Sequence, residues 1–398
     1  MSNSIESRIR TFDEILEQKQ DVEDYETESS REQDSVERNV LEAYRLGQPI
    51  LRKHLHMLFL ESCLTNLNED HECLDCSRPW LCYWIIHSLQ ILGKRLSDSE
   101  YSKIAGFLAK CQSPEGGFGG GPGQYPHLAS TYAAVNALCI IGTPQAYQVI
   151  DRKGLKRFFL SLREEDGSFR LHTDGEVDMR GVYCAAAISK LTNVWTPEMF
   201  KETENWIAQC QTWEGGFGGT PGMEAHGGHT YCGLSALVIL GGIHRCCMKS
   251  LLRWIVNKQM RLEGGFQGRT NKLVDACYSI WLGGIFPLVH GILKHFDEEY
   301  NSEYWLFDQT ALQEYLLFCC QDNYGGLLDK PKKFRDIYHT CHALCGLSVA
   351  QNSPKMLVIE CDGYKDSNRL EVIDTIFNIA CDSLCKAKDY FYSLPIPD

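Results

Sequence analysis

No apolar run in this chain is long enough to cross a bilayer. The most apolar stretch, Tyr231 to Ile243, is 13 residues with three glycines among them, against the roughly 20 a spanning helix needs. No secretory leader is expected from the first thirty residues, which carry charges every few positions (Glu6, Arg8, Arg10, Asp13, Glu14) and leave no apolar core. Positive charge is in deficit, with 39 Lys and Arg against 52 Asp and Glu, a net charge of −13. That excludes a generic duplex-DNA binder, whose affinity comes from basic residues meeting phosphates. β-branched alternation is rare, so strand signals are weak. The 19 cysteines lack a small-domain framework and include Cys246-Cys247 and Cys319-Cys320, which reads as reduced, mostly buried thiols inside a cell. The expectation is a soluble cytoplasmic protein with no membrane span and no nucleic-acid partner.

What is present is a globular composition, 44% hydrophobic and 23% charged over 398 residues. Residues 1–38 are acidic and polar, too poor in apolar groups to order themselves, and are expected to be disordered or ordered by a partner. Apolar residues return at helical spacing from Val40. Then a repeat appears: CQSPEGGFGG at Cys111, EEDGSF at Glu164, CQTWEGGFGG at Cys210, KQMRLEGGFQG at Lys258 and CCQDNYGGLL at Cys319. The first glycines, at 116, 167, 215, 264 and 325, are 51, 48, 49 and 61 residues apart, a supersecondary-sized period.

Each unit reads as a helix, a glycine turn supplying positive φ, a polar loop and a second helix rich in small and apolar residues. The second helices are apolar nearly all round, which suits an enclosed inner layer. The predicted fold is therefore all-α: an α/α barrel of about six two-helix repeats around a central cavity, with an open solenoid as the alternative. The barrel domain is expected at 39–380, with repeats at about 101–142, 152–193, 200–241, 248–290 and 309–351 and a C-terminal tail at 381–398.

Polar residues cluster where the inner helices begin: Arg180, His226, His229, Arg269, Lys272, Asp275, Cys277, Tyr338 and His339. In a ring these starts share one rim, so residues distant in sequence converge. Asp275 and Cys277 would point about 200° apart on a regular helix, so both reach one ion only if the helix is just beginning there. With His339 they make a mixed O/S/N set that suits zinc and leaves a position open. Alone, Cys277 reads by default as a buried packing thiol and Asp275 as a helix cap. His226, Arg269 and Lys272 read as a solvated rim or as a diphosphate pocket, with Tyr278 as a further donor. Trp80, Tyr83, Trp84, Tyr132, Tyr183, Tyr231, Trp281 and Tyr338 read as core or as the lining of a slot for a long apolar ligand.

Four long segments then carry a resemblance: GGFGGGPGQYPHLASTYAAVNAL, GGFGGTPGMEAHGGHTYCGLSALVIL, EGGFQGRTNKLVDACYSIW and DKPKKFRDIYHTCHALCGLS. Together they resemble the β subunits of protein prenyltransferases, the farnesyltransferases in particular, from about Trp80 to Gln351. The resemblance implies catalytic zinc on Asp275, Cys277 and His339, and an α-subunit partner in a heterodimer. It implies that His226, Arg269, Lys272 and Tyr278 hold the diphosphate of farnesyl diphosphate, while Arg180, Tyr183, Gly228, Tyr231, Cys232 and Trp281 flank the isoprenoid. Trp80, Trp84, His127 and Tyr338 are implied to meet the C-terminal CaaX peptide of proteins such as small GTPases. Asp329 matches an aspartate that helps magnesium neutralise the diphosphate. The substrate cysteine would attack as thiolate, so no residue of this chain needs to be a covalent nucleophile.

The pattern departs at three positions: His229 stands for a tyrosine, Ser130 for a proline and His342 for an aromatic near the far end of the lipid slot. Trp80 suits a fifteen-carbon lipid and Asp329 a magnesium-assisted enzyme, while His342 keeps a twenty-carbon, geranylgeranyl alternative open. A terpene cyclase would need an aspartate-rich acid motif, and EVDMR at Glu176 has one central aspartate. A non-enzymatic scaffold predicts no bound metal.

Overall fold

The computed structural model describes residues 5–10, 27–67, 69–297, 299–361, 363 and 366–398. The chain divides into two compact units, one of Leu60–Leu252 with Glu371–Asp398, the other of Met1–Phe59 with Arg253–Leu370.

In the first of these, the helices Arg78–Ile91, Leu128–Ile141, Met179–Leu191 and Gly227–Leu240 pack consecutively side by side. Every residue of Leu128–Ile141 except Ala129 is buried, as its apolar circumference predicts. The helix Arg152–Leu162 is instead amphipathic and buries Leu155, Phe158, Phe159 and Leu162 on one face. The turns between helices share parts of one design. Phe118 and Phe217 each donate a backbone N–H to the hydroxyl of a threonine thirteen residues on, Thr131 and Thr230, at 2.9 Å. The first glycine of all five turns has positive φ, from 81° to 117°. At Gly116 the need is also steric, since a Cβ would lie 1.9 Å from the Gly154 carbonyl oxygen.

The second unit holds the last two turns and the helices Tyr278–Trp281, Ile285–Phe296, Gln309–Glu314 and Ile337–Gln351. Leu327 donates to Thr340 at 2.8 Å, the same thirteen-residue bond. Two-residue strands Leu327–Leu328 and Arg335–Asp336 pair antiparallel and deliver the chain to the start of Ile337–Gln351. Tyr278–Trp281 packs on that helix, and so closely that a Cβ on Gly346 would meet the Ser279 Cβ at 2.1 Å.

Residues 28–38, expected to be disordered or partner-ordered, are helical within Glu28–Leu46, started by a Thr27–Ser30 capping box. The stripe Val36, Val40, Leu41 and Tyr44 gives this polar run a buried face, and the Tyr44 hydroxyl donates to the Glu263 carbonyl at 2.5 Å. Residues 1–4 and 11–26 lie outside the described residues. The C-terminal segment packs on its own chain: Cys381–Tyr392 lies against Leu128–Ile141 and Met179–Leu191 and buries Leu384, Ala387 and Phe391.

Candidate metal centre and substrate walls

Asp275, Ala276 and Cys277 precede the one-turn helix Tyr278–Trp281, so Asp275 and Cys277 are released from the opposed directions of a regular helix. Their ligand atoms and one from His339 all lie within 4.8 Å of one another. His339 Nε2 is 3.3 Å from Asp275 Oδ1. Its Nδ1 donates to Asp336 Oδ2 at 2.5 Å, while Asp336 Oδ1 accepts the His339 amide and caps the helix. A carboxylate on Nδ1 leaves Nε2 as the metal-facing nitrogen.

The electrostatics follow from burial and from these bonds. Burial raises the Asp275 carboxyl, but hydrogen bonding and charge from His339, with the Cys277 amide, more than reverse this and hold it below the usual carboxylate value. Burial, then the Asp275 charge, pushes the Cys277 thiol far up. For His339, burial pulls the imidazole down, yet its bonds to Asp275 and Asp336 win and raise it to about 10. The metal-free trio is therefore carboxylate, thiol and imidazolium. A cation entering it must displace protons from Cys277 and His339. One carboxylate, one thiolate and one imidazole fit zinc, with a fourth position for a substrate atom.

Around the trio, Tyr338 exchanges a hydrogen bond with the Cys277 thiol and accepts one from Trp281 Nε1 at 3.1 Å. His342 packs against Tyr338 and Trp281 with tilted rings, centroids 4.2 and 4.9 Å away. Burial lowers its imidazole to about 4, so it sits in this wall as a neutral ring. Asp329 Oδ1 is buried with no hydrogen-bond partner, and Oδ2 is held by the Lys330 ammonium. Arg269 and Lys272 occupy the loop after Gly268, where a Cβ would fall 1.9 Å from the Tyr278 ring.

The other unit carries its own walls. A cavity of about 950 Å³ is lined by Trp80, His127 and Ser130, with Cys76, Tyr125, His172 and others. Trp84 lies beside it, its ring 5.3 Å from that of Trp80. His226 Nδ1 accepts the Gly228 amide at 3.1 Å. Arg180, read from sequence as a rim cation, is gripped by Asp178 through Nε and Nη2. Tyr183 and Cys232 are buried. The tyrosines have a second occupation that the sequence did not announce. Tyr231, Tyr183, Tyr132 and Tyr83 donate to the successive carbonyls of Thr375, Ile376, Phe377 and Asn378, at 2.5–2.9 Å.

The prenyltransferase alpha-alpha toroid domain model matches residues 51–379. The protein farnesyltransferase subunit beta of Saccharomyces cerevisiae is 38% identical, over 94% of this chain and 88% of its own length. The chain belongs to the protein farnesyltransferase β-subunit family. The geranylgeranyl transferase type-1 subunit beta of Arabidopsis thaliana is more distant, 32% identical over 75% of this chain and 85% of its own. Among solved structures, that of Candida albicans protein geranylgeranyltransferase-I complexed with GGPP superposes with a TM-score of 0.71, over 86% of this chain and 99% of that one, at 23% identity. Family and superposition together bear out the all-α, α/α toroid class. Farnesyltransferase β-subunit membership also makes this an enzyme class, protein prenyltransferases, rather than a scaffold.

Asp336, Asp178 and Tyr315 were not singled out from the sequence. The first two were findable: His127, Asp178, His226, Asp275 and Asp336 each lie nine residues after the turn residue Phe118, Phe169, Phe217, Phe266 or Leu327. Each accepts a backbone N–H two or three residues on.

Proposed function

We propose that this chain, through its 39–380 toroid domain, is the catalytic β subunit of a cytoplasmic zinc-dependent protein farnesyltransferase that moves the farnesyl group from farnesyl diphosphate to the cysteine thiol of a C-terminal CaaX motif. The observation that carries the reading is the convergence of Asp275, Cys277 and His339 with an Asp336-oriented imidazole. These three would hold zinc, which when bound favours the thiolate form of a thiol ligand at neutral pH.

The chain's own residues supply the rest. Arg269, Lys272, Tyr278 and His226 take up charge on the departing diphosphate, and Tyr278, whose phenol is raised by burial and by Cys277, stays a hydrogen-bond donor. Asp329, with its orphaned Oδ1, fits a magnesium ion riding with the diphosphate. Trp281, Arg180, Tyr183, Gly228 and Cys232 flank the isoprenoid, and Trp80, Trp84, His127 and Tyr338 meet the CaaX peptide. A prenyltransferase α subunit completes the heterodimer.

The geranylgeranyl alternative rests on His342, a smaller ring in the Trp281–Tyr338 wall. Farnesyl is favoured by the greater identity and coverage of the farnesyltransferase relative and by the bulk of Trp80. The test is to coexpress the chain with a prenyltransferase α subunit, measure zinc per heterodimer, and offer a CaaX peptide with farnesyl or geranylgeranyl diphosphate. One zinc with farnesyl transfer supports the proposal. Geranylgeranyl transfer overturns the lipid, and neither metal nor transfer overturns the mechanism.

A further inference from the structure

The peptide between the two loop ligands is held from outside the site. The Ala276 amide, flanked by Asp275 and Cys277, donates to the Asp329 carbonyl at 2.9 Å. The same carbonyl accepts the Tyr315 hydroxyl at 3.0 Å, and the Cys320 thiol stands farther off at 3.9 Å. A carbonyl oxygen has two lone pairs, so the two short bonds satisfy it. Fixing that one oxygen fixes the orientation of the Ala276 peptide, which sets the angle between the Asp275 and Cys277 side chains.

Tyr315 is built for this bond. It is fully enclosed and opens a five-residue π-helical turn, Tyr315–Cys319, that continues the Gln309–Glu314 helix. Such turns recur at functional sites because they re-aim side chains at the expense of helix regularity. Its ring stands where Gly265 has no side chain, since a Cβ there would lie 2.5 Å from Tyr315 Cδ1 and 2.7 Å from Val274 Cγ2. The phenol thus packs on the glycine turn at a point that Val274, the residue leading into the ligand loop, also approaches. A phenylalanine would fill the same space without reaching the Asp329 oxygen.

We infer that Tyr315 is a positioning residue: acting through the Asp329 carbonyl and the Ala276 amide, it presets the Asp275–Cys277 loop for the metal while touching neither metal nor substrate. The inference rests on reading Asp275, Cys277 and His339 as the metal site. It predicts that the loop is in place before the ion arrives, and that losing one hydroxyl loosens the metal.

The experiment uses the heterodimer with a prenyltransferase α subunit, loaded with cobalt as a spectroscopic stand-in for zinc. Tyr315→Phe should lose metal to a chelator about tenfold faster, the low end for outer-shell partners of metal ligands. It should alter the cobalt d–d and thiolate charge-transfer bands and lower kcat, with the KM for the prenyl diphosphate unchanged. Tyr44→Phe removes a comparable buried tyrosine-to-carbonyl bond, to Glu263. It should lower the unfolding temperature while leaving metal loss and spectrum unchanged. If Tyr315→Phe is destabilised like Tyr44→Phe but keeps the wild-type loss rate and spectrum, the inference is overturned. Should Tyr315→Phe not fold, hydrogen exchange on metal-stripped wild type decides: a protected Ala276 amide supports a preset loop, and a freely exchanging one overturns it. Wild type that binds no cobalt refutes the metal site itself, and this inference falls with it.

Discussion

Asp336 does two jobs that one substitution can separate. Oδ1 accepts the His339 amide at 2.6 Å and caps Ile337–Gln351, and Oδ2 accepts His339 Nδ1–H at 2.5 Å. Asn is as good a cap as Asp, so Asp336→Asn keeps the first job. It places an NH2 against Nδ1–H, two donors facing each other, so the imidazole gives up either its tautomer or its direction. Removal of an outer partner of a metal-bound histidine costs about 10- to 100-fold in metal affinity, or about 1.4–2.7 kcal/mol. Asp336→Ala loses both jobs and adds about 1 kcal/mol of lost capping to the unfolding free energy. The assay pairs competitive zinc chelation with thermal unfolding of the metal-free heterodimer. Expected is a split: both variants weaken metal and lose the pairing with the metal-free His339 imidazolium, but only Ala also loses the cap, so it is the less stable of the two without metal. Wild-type zinc affinity in Asp336→Asn would refute the argument that Nδ1 fixes the ligand.

Four further outcomes follow from the geometry. Cys277→Ala should abolish zinc and turnover while prenyl diphosphate binding, read by fluorescence titration, stays within a few-fold of wild type. Trp80→Thr should shift the ratio of kcat/KM toward the longer diphosphate, and an unchanged ratio would move the length determinant to His342. Glu263, 1% exposed and facing Gln33, Glu37 and Arg8, is raised by burial to about 7. The fold holds its proton, so this contribution is complete below pH 4.5 and lost as pH rises through 7, about 3 kcal/mol over the window. Glu263→Gln should flatten that slope and exceed wild-type stability at pH 8 by chemical denaturation. His56 is the reverse case, lowered by burial to about 4, its Nδ1 accepting from the Gly326 amide and Nε2 bonded to Gln321. Its contribution is complete above pH 6.5 and lost as pH falls through 4, an acid leg of similar size that His56→Gln should shallow.

The repeat was legible because each turn needs the same glycine, and Gly116, Gly167, Gly215, Gly264 and Gly325 all adopt positive φ. The helix start at Cys277 was legible because two ligands two residues apart demand it. Other features left no local signal. The tyrosine series 83, 132, 183 and 231 reads in sequence as an apolar lining, yet its hydroxyls are directed by four carbonyls that lie 144 to 295 residues away. The register of that pairing belongs to tertiary structure alone. Order in residues 28–38 was hidden for a related reason: the polar run borrows its buried face from Val36 onward, and a composition window ending at 38 cuts that face in two.

The capping register ties the bland reading of these residues to the functional one. Every inner helix after the first needs a side chain at its start to satisfy a backbone N–H that has no partner within the helix. The repeat meets this with His or Asp nine residues after each turn residue, at 127, 178, 226, 275 and 336. Three of them, His127, His226 and Asp275, are also side chains that meet ligands or substrates in the proposed enzyme, and Asp336 orients the His339 ligand. At Asp275 the two roles meet in one carboxylate: Oδ1 accepts the Cys277 amide at 2.7 Å and lies 3.3 Å from His339 Nε2. A cap places its carboxylate rigidly at the helix start with the next residues turned toward the same point, which is the geometry a three-ligand site requires. The fold's need for a capped start and the chemistry's need for a fixed ligand are thus met by the same atom. An Asp275→Asn variant should therefore keep the helix start while losing the charge. Its metal affinity should fall, and its metal-free stability should fall by the lost pairing with the His339 imidazolium; Asp275→Ala should be less stable still by the lost cap, and equal metal-free stability in the two variants would show that the cap contributes nothing here.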